Sequence, residues 1–117
     1  MTQEIKFATD LFKMVISGKK TNTVRKGLRE YSLGTVLFVT DPPNKHGMVK
    51  TAKGFITKIE LSRLKHLTDH EAGLAGYKCL GDYVRRLKEI YPDIGLDSEI
   101  TKVEFRLGRC KVNEAVD

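Results

Sequence analysis

The 117-residue chain has no tryptophan, only three prolines and two cysteines, and no long apolar run. Each shortage removes a class of protein. A bilayer-spanning helix needs about 20 consecutive apolar residues, and none are present. Met1 to Lys6 shows no basic-then-apolar leader pattern, so the expected compartment is the cytoplasm. Cys79 and Cys110 form no C-x-x-C pair, and His46, His66 and His70 complete no zinc-binding pattern with them. The expectation is two reduced thiols, no disulfide framework, no metal and no cofactor. No low-complexity tract or linker divides the chain, and Pro42-Pro43 is the only proline cluster. We therefore expect a single domain over residues 1–117, with its core between about 7 and 107 and a frayed tail at 111–117.

What is present is charge. Twenty-one Lys and Arg stand against fifteen Asp and Glu, a formal net charge of +6. A basic surface concentrates polyanions around it, which makes RNA or another single-stranded nucleic acid the natural partner class. The same balance also serves solubility, so the position of the cations has to decide. Hydrophobic residues make up 40% of the chain, enough for a packed core at this length.

Thr9 or Asp10 can cap a short helix in which Leu11, Met14 and Val15 share a face, and Gly18 ends it. Thr21 to Arg25 is β-branched at alternate positions and reads as a strand. Residues 27–34 form a loop, Thr35 to Thr40 reads as a buried strand, and Asp41 to Gly47 breaks it. From Gly54 to Leu61 the pattern has period two, with Phe55, Thr57, Ile59 and Leu61 on one side and Ile56, Lys58 and Glu60 on the other. Thr68, with Asp69 and Glu71 behind it, opens a short helix that Gly73 and Gly76 interrupt. A longer helix runs from Leu80 to Tyr91 and stops at Pro92, with Leu80, Tyr83, Val84, Leu87 and Ile90 as its apolar stripe. Arg85, Arg86 and Lys88 point the other way and read as a solvated face, outside any site. Glu99 to Gly108 alternates as a last half-buried strand. Strands without regular βαβ alternation predict an α+β domain or small barrel.

Gly18-Lys19-Lys20-Thr21-Asn22-Thr23-Val24-Arg25-Lys26 places four cations and two hydroxyl-bearing threonines among nine residues. On a regular strand Thr21, Thr23 and Arg25 share one face, where phosphate or base edges can be bound. A solvated hairpin rim, whose lysines merely protect an edge strand, is the plain alternative. Tyr31 and Tyr77 sit in glycine-containing loops and can stack a base, although Tyr77 equally suits a plug at the barrel mouth.

The string Gly-Lys-Lys-Thr-x-Thr-x-Arg after an amphipathic helix resembles the signature of ASCH domains. So do Leu33-Gly34-Thr35-Val36-Leu37, Leu67-Thr68-Asp69 with Ala72, Gly76-Tyr77, Ile90-Tyr91-Pro92 and Lys102-Val103-Glu104-Phe105, in the same order over about residues 7–107. This resemblance implies a PUA-like small mixed β-barrel with flanking helices and a cleft at the Lys-Thr-Arg strand. It implies a nucleic-acid or nucleotide ligand, with Lys20, Thr23 and Arg25 at the cleft and Lys19, Thr21, Lys26 and Tyr77 supporting it. Within the family the chain is similar to small bacterial N4-acetylcytidine amidohydrolases, whose Lys and Thr carry over to Lys20 and Thr23. Their Glu falls on Ala75, which cannot move a proton. A hydrolase acting on a modified nucleoside and a metal-independent ribonuclease are thus the alternatives to a binding domain, with Asp69 or Glu71 as substitute acids.

Overall fold

The computed structural model describes residues 3–108, so the tail at 111–117 and Cys110 lie outside the described residues. Five strands form one mixed, curled sheet in the order β1-β3-β4-β5-β2. They are β1 (Gln3–Phe7), β2 (Asn22–Lys26), β3 (Gly34–Thr40), β4 (Thr51–Arg63) and β5 (Glu99–Leu107). β1 runs parallel to β3, and the other neighbours are antiparallel. The described residues also form three α-helices, α1 (Thr9–Ile16), α2 (Asp69–Leu74) and α3 (Leu80–Ile90), and a short 3-10 turn at Leu64–His66. The α+β architecture expected from the sequence is the one observed.

The four expected strands are present, and the structure adds a fifth. β1 lies before the residues where the core was expected to begin. Its Ile5 and Phe7 are buried, so the core extends N-terminal of residue 7. Together with Leu11, Phe12 and Val15 of α1, Val36 and Phe38 of β3, Ile56 of β4, and Val103 and Phe105 of β5, they fill the inner cluster. A second cluster, containing Val24, Leu67, Ala75, Tyr83, Leu87 and Ile100, joins α2 and α3 to β2 and β5.

Two local readings are corrected. The period-two pattern expected over residues 54–61 does not hold through β4, because the register against β5 shifts between Ile56 and Lys58. The bulge lets Ile56 face the core and Ile59 pack against it three positions later, while Phe55 turns outward. The α1 cap is Ala8, with no side-chain hydrogen bond, so Thr9 and Asp10 belong to the first turn instead. Thr68 does cap α2, in a reciprocal box with Glu71.

A mixed sheet of this order leaves β1 and β2 as its two edges, curled toward each other without a hydrogen-bonded ladder between them. The sheet is a curled half-barrel, in keeping with the mostly closed sheet expected, and it is open at this seam.

Candidate functional site

Arg25 crosses the seam. Arg25 Nη2 donates to the Lys6 carbonyl oxygen at 2.7 Å, and the guanidinium lies over the Phe7 ring, 4.9 Å from its centre. Arg25 thereby saturates an edge carbonyl of β1 from β2 and stacks on the core aromatic beneath it. Around it opens a cleft of about 400 Å³. Lys6, Arg25 and Arg29 bring cations to this cleft, Tyr31 and Tyr91 bring rings, and Glu4 and Asp41 bring carboxylates. Arg29 is held by its Nε donating to the Lys26 carbonyl and by its backbone N–H donating to Thr101 Oγ1.

Lys20 lies where α1 has turned back into β2, and only 2% of it is exposed. Its ammonium donates to the Ala75 carbonyl oxygen at 3.4 Å and sits over the rings of Tyr77 and Tyr83, 5.7 and 5.3 Å from their centres. The two rings stack at 4.5 Å, 12° from parallel. Burial, reinforced by the positive charges of Arg25 and Arg86, lowers the Lys20 pKa to about 7. An amine in this state exchanges its proton near neutral pH, which suits it to act as a base or to bind a ligand with proton uptake.

Several buried polar atoms lie on the elements around Lys20. Asn22 Oδ1, Tyr77 Oη, Tyr83 Oη and Arg86 Nε have no hydrogen-bond partner among the described residues. The Tyr83 hydroxyl faces the Val24 amide without closing a bond of ordinary geometry, and burial raises its pKa. Tyr77 is raised by burial too, against the field of Arg86. Arg86 itself pairs with Asp10 at 3.1 Å and with Glu89 at 3.5 Å. A buried donor or acceptor left without any partner costs about 1–3 kcal/mol.

The structure therefore gathers Lys20, Arg25 and Tyr77 in one region, with Thr23 buried on β2 between the two cations. The remaining members of the basic segment go elsewhere. Thr21 precedes the strand, and its backbone N–H and hydroxyl both donate to the Leu74 carbonyl, at 2.7 and 3.3 Å. Lys26 pairs with Asp93 at 2.7 Å, and Lys19 is exposed. Tyr31 lines the seam cleft. Sequence reasoning passed over Tyr83 and Arg86. Tyr83 lay in an apolar stripe and Arg86 among solvated cations, and no local signal distinguishes either from its neighbours.

Ala75, where the acid of the amidohydrolase pattern falls, is fully buried and presents its carbonyl to Lys20. The carboxylates put forward as substitutes are engaged away from it. Asp69 Oδ1 accepts from the Leu80 N–H at 2.9 Å, and Glu71 pairs with Lys102 at 2.6 Å. Burial would raise the Glu71 carboxyl, but its bonds to Lys102 and Thr68 outweigh that and hold it low. Among the described residues no group of three or more His, Cys, Asp or Glu is arranged to hold a metal ion, and no helix is long and apolar enough to cross a membrane. Cys79 is an exposed free thiol.

No family model and no curated protein matches the sequence. Solved structures do match the fold. An ASCH domain from Lactobacillus crispatus JV V101 superposes with a TM-score of 0.67 at 13% identity, over 91% of this chain and 79% of that one. A protein of Enterococcus faecalis V583 gives 0.68 at 16% identity, over 92% and 77%. A single-residue mutant of an ASCH protein from Zymomonas mobilis gives 0.60 at 16% identity, over 88% and 67%. The chain thus has the ASCH-type, PUA-like fold.

Proposed function

We propose that this domain binds single-stranded RNA or a nucleotide through the seam cleft, with Lys20 behind Arg25 as a proton-exchanging contact. The observation that carries this reading is the convergence of Lys6, Arg25 and Arg29 with Tyr31 and Tyr91 at one opening. Guanidinium groups engage phosphate by paired hydrogen bonds, and aromatic rings stack on unpaired bases. Arg25 spends one donor on Lys6, and a guanidinium has five. The test is a titration of a short single-stranded RNA followed through backbone amide signals. Shifts centred on residues 25–31 and on Tyr91 support the reading, and shifts confined to other faces refute it.

A hydrolase acting on an acylated cytidine is favoured by a single observation, the burial of the Lys20 amine against the Tyr77 and Tyr83 rings, which lowers its pKa to about 7. Lys20 alone would have to serve as both base and acid, and losing a general acid/base costs about a hundredfold to ten-thousandfold in rate. We expect little or no deacylation of N4-acetylcytidine. Robust turnover that Lys20→Ala or Thr23→Ala abolishes would make the enzyme reading the correct one.

A further inference from the structure

On the side of α1 away from the seam cleft lies an apolar trough in two lobes, of about 510 and 320 Å³. Both lobes are bounded by Thr9 and Lys50, so they adjoin. Phe12 and Ile16 line the first, Met48 and Val49 the second. Ile16, Met48 and Val49 are 46%, 66% and 44% exposed, a concentration of large apolar surface in one concave place. The 41–50 loop that presents Met48 is tied down. Asn44 Oδ1 accepts from the backbone N–H groups of His46 and Met48, and Thr40 Oγ1 accepts from that of Lys50. The apolar surface is thus held ready and need not be ordered on binding.

Charge indicates what fits. Among the described residues, Lys13 and Lys50 line the trough and no carboxylate does, whereas the seam cleft holds both signs. We propose that the trough docks a short acidic segment of a partner protein, which inserts one large apolar side chain into each lobe and sets its carboxylates against Lys13 and Lys50. Two anchors one helical turn apart are the usual way an amphipathic helix uses such a groove. A second copy of this chain suits the site less, because a net charge of +6 opposes basic rim against basic rim. A lipid surface suits it less as well, since membrane attachment uses protruding apolar residues and larger cation clusters.

The test uses the full chain and a fluorescent peptide of about 12 residues, with two leucines one turn apart among glutamates. A second peptide has glutamine in place of each glutamate. The acidic peptide should bind, and binding should weaken about tenfold or more with Ile16→Asp, with Met48→Asp and with the glutamine peptide. Both positions are exposed, so unchanged melting temperatures should accompany the loss. The proposal is overturned if the acidic peptide does not bind, if it binds both variants as well as the parent, or if the glutamine peptide binds equally. Preferential binding to vesicles of phosphatidylserine and phosphatidylcholine would also overturn it. So would a concentration-dependent dimer that Ile16→Asp dissolves.

Discussion

Arg25 of β2 reaches the Lys6 carbonyl of β1 at 2.7 Å, joining the two strands that the sheet ladder leaves apart. It has two roles, as a wall of the seam cleft and as the tie that holds the cleft's width. Arg25→Ala should destabilise the domain by about 1–3 kcal/mol, the worth of a charged hydrogen bond plus stacking on Phe7. Arg25→Lys should recover little, since an ammonium neither forks nor stacks as a guanidinium does. Chemical denaturation gives the magnitude, and faster hydrogen exchange confined to β1 and β2 would locate it. A variant as stable as the parent would show that the seam holds without the tie.

Lys20 makes stability depend on pH. In the fold its amine gives up its proton near pH 7, whereas an unfolded lysine keeps it to about pH 10.4. Between those values the unfolded chain binds more protons, so stability should rise with pH across the window. Below pH 7 both states are charged, and the full cost of burying the ammonium is present. Lys20→Met should therefore be more stable than the parent at about pH 6, by on the order of a few kcal/mol, and the gap should narrow toward about pH 9. Denaturation of both proteins across that range measures it, and parallel curves would contradict the burial of a proton-exchanging amine.

Two glycines should respond differently to alanine. Gly76 has a φ of +95°, between the Ala75 carbonyl that meets Lys20 and the Tyr77 ring, and a Cβ there would press on the flexible end of Met14. Its cost is mainly backbone strain, about 1–2 kcal/mol. Gly54 has no such dihedral, but a Cβ would stand 2.5 Å from the Arg106 carbonyl oxygen and against the Phe38 ring. Neither a strand backbone nor a buried ring can yield cheaply, so Gly54→Ala should cost more, about 3 kcal/mol. Equal losses in denaturation would contradict this ordering.

The elements legible in the sequence were those whose pattern is local. The α3 stripe ending at Pro92, the helix start at Thr68 and the alternation of Val103, Phe105 and Leu107 each announce their own structure. β1 did not, because five residues with two buried side chains are too short a pattern without the β3 partner that makes them a strand. The β4 bulge is a property of its pairing with β5 and has no signature in either strand. At the site, the density of cations in residues 18–26 was visible. Its division between a buried Lys20, a seam-bridging Arg25 and a Lys26 paired with Asp93 was not, since each destination lies on a distant segment. Arg86 became a neighbour of Lys20 only through the packing of α3 on β2.

Binding of single-stranded RNA at two salt concentrations, by the parent and by an Arg29→Gln, Lys6→Gln double variant, tests the central claim most directly. Both side chains are exposed and line the cleft, so the fold should persist. Affinity of the parent should fall steeply between about 50 and 200 mM salt, and removing two phosphate-facing cations should flatten the logarithmic slope by about 1–2. A parent that binds without salt dependence, or a double variant with an unchanged slope and affinity, would contradict a nucleic-acid site at the β1–β2 seam.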